Sequence, residues 1–220
     1  MLNILQDDLA VIITSDEAHF HLDGHVNKQN CRYWAKENPR ELHQKPLHSQ
    51  KVTVWCALSK VGIIGPDFFE DERGQTVTVN AERYVAILQD FFIPYLEENE
   101  WDIPHVWFQQ DGATAHTARV SMNVISETFA GRVISRNGDI PWPPRSPDLS
   151  PCDFFLWGYL KSKVYLGKPR TIPELKEAIQ REIAAIPDTM LENVMKNFND
   201  CLQECINVKG RHLPGIIFHT

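Results

Sequence analysis

Two short apolar runs in this chain end in an aspartate. Val11-Ile12-Ile13 leads through Thr14-Ser15 to Asp16, and Val106-Trp107-Phe108 leads through Gln109-Gln110 to Asp111. Runs of this length bounded by polar residues read as strands. A third aspartate, Asp153, stands just before the aromatic run Phe154-Phe155-Leu156-Trp157, which reads as the start of a helix. Two acids at strand ends and a third at a helix start are what a two-metal phosphoryl-transfer site needs. Hard divalent cations prefer oxygen ligands, and two ions about 4 Å apart can clamp the attacking and leaving oxygens of an in-line displacement. If the three carboxylates share an ion pair, they should converge within about 4–8 Å.

The rest of the chain supplies the elements such a site needs. Val11 to Thr14 reads as a strand ending at Asp16, with Ala18 to Leu22 as the next. Residues 23–50 are polar, carry Pro39 and Pro46, and form an excursion too long for a simple connection. Its Tyr33, Trp34 and Leu42 are candidate anchors for a contact with a second subunit. Val52 to Leu58 is a buried strand, and Val61 to Ile64 pairs nearby. Asn80 caps a helix to about Glu98, with apolar positions at Tyr84, Ile87, Leu88 and Phe91 and a kink expected at Pro94. Val106 to Gln109 and Val133 to Ser135 are strands. Thr117 to Phe129 is a helix ending at Gly131, and Asp153 to Tyr165 is another, with Asp153 near its positive N-terminal end. Thr171-Ile172-Pro173-Glu174 is a capping box that starts a helix to Ile186. Thr189 to Val208 forms the last helix. The pattern predicts an α/β fold, a mixed sheet flanked by helices, with C-terminal helices across 171–210 and residues 1–220 forming one domain.

Composition narrows the class. A chain of 220 residues with 43% hydrophobic side chains can bury a sizeable core. No apolar stretch approaches the roughly 20 residues that span a bilayer, so no membrane partner is expected. Met1-Leu2-Asn3-Ile4-Leu5 runs straight into Asp7-Asp8 and does not read as a secretory leader. The five cysteines, at 31, 56, 152, 201 and 205, are odd in number and lack paired zinc spacing, which points to a reducing compartment. The net charge of −7 argues against nucleic acid taken alone. Two local runs oppose it. Lys161 to Arg170 holds Lys161, Lys163, Lys168 and Arg170 without an acid, and Lys28 to Lys51 carries six basic residues against Glu37 and Glu41.

Three blocks carry a family resemblance. Ser15-Asp16-Glu17, Gln110-Asp111-Gly112-Ala113-Thr114-Ala115-His116-Thr117-Ala118 and Ser146-Pro147-Asp148-Leu149-Ser150-Pro151-Cys152-Asp153 resemble, in order, the acidic blocks of Tc1/mariner DNA transposases. An aspartate as third acid resembles the mariner branch. The resemblance covers nearly the whole chain. It implies a ribonuclease-H-like catalytic domain that cuts and joins DNA with Mg2+ or Mn2+, two ions held by Asp16, Asp111 and Asp153. Its DNA partners would be transposon ends and target. It further implies a homodimer when full-length, with the excursion at 23–50 reaching the other subunit, and a nuclear location. In the family two helix-turn-helix units precede the catalytic domain. Only about 15 residues precede Asp16, so the sequence-reading part is expected to be missing, as in a truncated copy.

Several residues have competing readings. Asp148 rivals Asp153 as third acid. It follows Pro147 and is expected to build the Ser-Pro-Asp-Leu turn through Asx-type hydrogen bonds, whereas the family's ligand lies five residues further on, at Asp153. The 41 residues between Asp111 and Asp153 exceed the commonest mariner spacing and resemble a longer-spaced subgroup, the extra length falling in Gly131 to Pro144. His116 either contacts DNA or holds the loop after Asp111. Glu17 points away from Asp16 if the strand continues. His19, His21 and Asp23 alternate as a solvent face does. Trp142 reads as a packing anchor. The alternatives to a transposase are a non-enzymatic DNA-binding or dimerising remnant and a ribonuclease-H-type nuclease that joins no strands.

Overall fold

The apolar runs of the sequence become adjacent strands of one six-stranded mixed sheet. The computed structural model describes residue 4 and residues 9–24, 49–144 and 146–208. The strands are β1 (Val11–His21), β2 (Lys51–Leu58), β3 (Ile63–Phe68), β4 (Val106–Gln109), β5 (Val133–Ser135) and β6 (Ile140–Pro141), in the order β3-β2-β1-β4-β5-β6. Strands β1, β2 and β3 are antiparallel neighbours, while β1, β4, β5 and β6 run parallel. The two-residue β6 was not expected from the sequence.

Strand β1 differs from expectation in a way that matters for the site. It does not stop at Asp16. It continues to His21 because β2 pairs with it from Thr14 to His21, Asp16 lying opposite Cys56. Its parallel partner β4 ends sooner, at the Thr14–Gln109 pair. Asp16 is therefore mid-strand, two residues beyond the last β1–β4 pair, and Asp111 leaves β4 at the same edge. That edge, outside the carboxyl ends of parallel strands, is where open α/β sheets place ligands. The β1 and β2 ends are also tied where the excursion departs, by the Leu22 N–H donating to the Gln50 carbonyl at 2.8 Å. Within the excursion, Tyr33, Trp34, Leu42, Cys31 and the basic residues from Lys28 to Lys45 lie outside the described residues.

The two sheet faces carry separate cores. Successive β1 side chains alternate, so Ile12, Ala18 and Phe20 enter one core and Ile13 the other. The first core is closed by α4 (Cys152–Leu156, wound with widened π-type turns, then Trp157–Val164), α5 (Ile172–Ala184) and α6 (Asp188–Asn207), through Leu156, Leu160, Ile179 and Phe198. The second is closed by α1 (Ala81–Glu98) and α3 (Arg119–Thr128) through Leu88, Phe92, Ile125 and Phe129. Trp142 is buried in the first core, as a packing anchor should be. Cys201 is buried and Cys205 half-buried on α6, both free thiols. Among the described residues no helix is long and apolar enough to cross a membrane.

Helix α1 shows how proline is absorbed. It runs Ala81–Ala86, a π-type stretch Ile87–Phe92, then Ile93–Glu98. The Ile93 N–H reaches back five residues to the Leu88 carbonyl, one residue before Pro94. The expected kink is thus a local widening, one recognised way for a helix to absorb a disturbed hydrogen-bond ladder. The widening rotates the following residues, so Phe92 is buried while Phe91, expected on the apolar face, is half-exposed. The start of α1 matches expectation: Asn80 Oδ1 accepts from the Arg83 N–H at 2.9 Å. Asn80→Ala should lower stability by about 1 kcal/mol in a thermal melt, with Asn80→Asp near wild type.

The capping box at α5 forms in altered register. Thr171 Oγ1 accepts from the Glu174 N–H, but the Glu174 carboxylate accepts from the Arg170 N–H rather than from Thr171. The helix expected over Thr117 to Phe129 is interrupted. Thr114–Thr117 forms a short turn, α2, Ala118 is extended, and α3 (Arg119–Thr128) follows. Gly131 ends that unit at φ +73°, a conformation that favours glycine.

Candidate active site

The second acidic block builds a buried polar hub. Asp111 Oδ1 accepts from the Ala113 N–H at 2.8 Å, which turns the chain into α2. That turn brings His116 back beneath Asp111. Its Nδ1 lies 2.6 Å from Asp111 Oδ1, and its Nε2 lies 3.0 Å from both Glu17 carboxylate oxygens. Both ring nitrogens face carboxylates, so both donate and the ring is an imidazolium. Burial opposes that charge, but Glu17 and Asp111 overcome it and raise the histidine pKa to about 10. In return, despite its own burial, Asp111 is held below the usual carboxylate range by the His116 hydrogen bond and charge.

His116 is 1% exposed and packs against the Tyr84 ring at 4.3 Å between centroids. This corrects its assignment as a DNA contact: the ring is inside the protein and holds the loop instead. Gln110 locks the same hub. Its side-chain amide donates to the His116 carbonyl and to Ser135 Oγ, and its carbonyl accepts from Tyr84 O–H at 2.7 Å. Glu17, Tyr84 and Gln110 were not singled out as site residues from sequence. The available signal was the β1 alternation, which turns Glu17 to the face opposite Asp16.

Asp16 is held from the other face. Trp157 Nε1 donates to Asp16 Oδ2 at 2.8 Å, so the indole of α4 positions the first acid. Burial raises the Asp16 pKa well above normal, and the charges of Asp153, Glu17 and Asp111 add to this. Asp153 sits in the first turn of α4. Loss of surrounding water raises its pKa to about 6; Asp111 and Asp148 add to this, while the Ser150 hydrogen bond and Lys161 oppose it. Asp111 and Asp153 line one cavity of about 330 Å3 with Gly112, Trp142, Pro144 and Ser150. The three acids, distant in sequence, thus lie within electrostatic reach of one another.

They do not close around a single point. Among the described residues no three His, Cys, Asp or Glu side chains are grouped so as to hold one metal ion. The physical reason is visible: Asp16 is turned to Trp157 and Asp111 to His116, and like charges favour separation. The donor chemistry still fits a hard divalent cation. All three groups are carboxylates, and the bonds above occupy Oδ2 of Asp16 and Oδ1 of Asp111, leaving the second oxygen of each.

Asp148 plays another part than expected. Among the described residues, the turn Pro147–Leu149 is closed by backbone bonds, Leu149 N–H to Ser146 and Ser150 N–H to Pro147, and by Ser146 O–H donating to the Pro143 carbonyl, not by the Asp148 carboxylate. The basic run from Lys161 to Arg170 divides. Lys161 is half-buried beside the acids, its Nζ 5.5 Å from the Phe20 ring centroid; burial lowers its pKa while Asp153 and Asp16 oppose the shift. Lys163, Lys168 and Arg170 are exposed. His19 bonds Thr53 Oγ1 through Nδ1 at 2.9 Å, and its pKa falls to about 4 through burial and the charges of Lys51, His21 and Lys161.

A mixed sheet of this order, with Asp16 two residues past the last β1–β4 pair, Asp111 just beyond β4 and Asp153 in the first turn of a helix, is a ribonuclease-H-like fold. The relatives are specific. The chain is similar to the Tc3 transposase of Caenorhabditis elegans, 28% identical over 204 residues, 90% of this chain and 56% of that protein. Among solved structures it is similar to the catalytic domain of Mos1 mariner transposase, with TM-score 0.68 and 21% identity over 96% of this chain and 89% of that one. It is also similar to a Mos1 paired-end complex with the left transposon end, TM-score 0.70 and 21% identity over 96% of this chain and 59% of that one. No family model matches. The chain spans little more than half the length of the Tc3 relative, and what it resembles is the catalytic domain of Tc1/mariner transposases.

Proposed function

We propose that this chain cleaves and joins DNA phosphodiesters as the catalytic domain of a Tc1/mariner-type transposase, with Asp16, Asp111 and Asp153 holding Mg2+ or Mn2+, two ions in all. The observation that carries this is the assembly, at one sheet edge, of three carboxylates close enough that the charge of Asp111 raises the pKa of both Asp16 and Asp153. Mos1 catalytic-domain structures that contain Mn and Mg support the choice of metal. Bound divalent ions supply an activated water or 3′-hydroxyl nucleophile and stabilise the charge of the transition state.

The chain's own residues do the placing. Trp157 orients Asp16, the His116 imidazolium and the Ala113 N–H orient Asp111, and the first turn of α4 presents Asp153. Lys161 lies beside two of the acids and balances part of their charge when the ions are away. Lys163, Lys168 and Arg170 offer phosphate contacts, which position DNA without reading sequence. In this reading the partners are transposon ends and target DNA, sequence recognition belongs to an upstream segment, the full-length protein works as a dimer with one site per end, and the setting is the nucleus.

The test is Mn2+-dependent nicking of a supercoiled plasmid, followed by joining of a pre-cleaved 3′ end to target. Nicking with joining fits the proposal. Nicking without joining favours a nuclease, and no metal-dependent nicking favours a non-enzymatic remnant. In the absence of metal, binding to a terminal-repeat duplex and to a scrambled duplex should be comparable and fall steeply with salt. A hundredfold preference for the repeat would place sequence reading in this chain.

A further inference from the structure

We infer that Glu17 and His116 form a positioning relay that fixes Asp111 for its cation, Glu17 acting only through the imidazole. This rests on the metal site proposed above and goes beyond it, because neither residue is a ligand in that reading. Glu17 follows Asp16 on β1 but faces the opposite side of the sheet, so it cannot share the position of Asp16. Both its oxygens instead lie 3.0 Å from His116 Nε2. The opposite ring nitrogen lies 2.6 Å from Asp111 Oδ1. The relay thus joins the strand that carries the first acid to the loop that carries the second.

Its surroundings leave little freedom. The His116 side chain is 1% exposed, that of Glu17 12%, and that of Asp111 51%, so the relay runs from a buried anchor to a group open to the cavity. Tyr84 covers the ring, and Gln110 fixes the backbone on which it sits. One Asp111 oxygen is held inward by His116 and Ala113, which leaves the other for an ion. Partners of this kind fix the orientation of ligands and typically change metal affinity by about 10–100-fold when removed.

The experiment measures Mn2+ affinity by the electron paramagnetic resonance signal of free Mn2+, with thermal melts alongside. Glu17→Met keeps length but removes the acceptor, and Glu17→Ala replaces it if the methionine variant does not fold. Either should weaken Mn2+ binding by about tenfold or more, while Glu17→Gln, which keeps an acceptor, stays within about threefold of wild type. In a His116→Asn background the same Glu17 change should add less than about threefold, because its route is already cut. Unchanged affinity in the folded Glu17 variant, or a full additional loss in the His116→Asn background, would overturn the relay. Asp111→Asn separates the two levels. If wild type binds no Mn2+, or Asp111→Asn binds as well as wild type, the proposed metal site fails. If Asp111→Asn loses binding and Glu17→Met does not, the relay alone fails.

Discussion

Asp153→Ala should abolish Mn2+-dependent nicking, and Asp148→Ala should leave it intact. The two acids are five residues apart, and sequence alone leaves both as candidates. The structure separates them by what each faces. Asp153 lies in the first turn of α4 on the same cavity as Asp111, and its pKa is raised by loss of water and by the Asp111 charge. Asp148 lies in the preceding turn, which backbone bonds and Ser146 already close. Its truncation should change stability by no more than about 0.5 kcal/mol, as for a substitution away from core, cap or network. This revises the sequence expectation of weakened folding. Asp16→Ala and Asp111→Ala should match Asp153→Ala, and pairs of these substitutions should cost little more than one, because groups that act as a unit are not additive. Initial nicking rates at saturating Mn2+, with a thermal melt of each variant, decide it. Loss of nicking in folded Asp148→Ala with retention in Asp153→Ala would reassign the third ligand.

What the sequence made legible followed from short-range pattern. The strand Val106–Gln109 appeared at its expected bounds because a compact apolar run has one reading there. The Asn80 and Thr171 caps formed because their signal is local. Asp111 and Asp153 line one cavity. What escaped depends on partners distant in sequence. Nothing near Asp16 announces that β2 will extend β1 through it, since the pairing residues lie some forty positions away. The π-type widening in α1 spreads the effect of Pro94 over the preceding turn, which a period of 3.6 cannot anticipate. The extended Ala118, which separates the short turn carrying His116 from α3, is passed over by a helical pattern running from Thr117 to Phe129. The Glu17–His116 bond joins positions 99 apart, so no local spacing could reveal it.

Phe129→Ala should be the most damaging single truncation beneath the site. Phe129 is fully buried at the end of α3 and stacks on Phe108 of β4, with 5.3 Å between centroids and 11° between planes. Phe92 packs on both rings, at 5.2 Å from Phe108 and 6.1 Å from Phe129. The cluster fastens α1 and α3 to the strand that leads into Asp111. Removing one ring from such a core leaves a cavity that rigid neighbours cannot fill, at a cost of about 3–5 kcal/mol. For a chain of this size that is a fall in melting temperature of roughly 6–20 °C. Phe129→Leu keeps much of the volume and should recover most of the loss. The ligands themselves are untouched, since Asp111 is oriented by His116 and Ala113 rather than by Phe129. Below its own melting transition, Phe129→Ala should therefore bind Mn2+ within about threefold of wild type, where a relay variant at Glu17 weakens binding with its fold intact. A Phe129→Ala protein that melts like wild type would show that α3 is not fastened through this stack. One that stays folded yet loses Mn2+ would show that the sheet beneath Asp111 sets its geometry as much as His116 does.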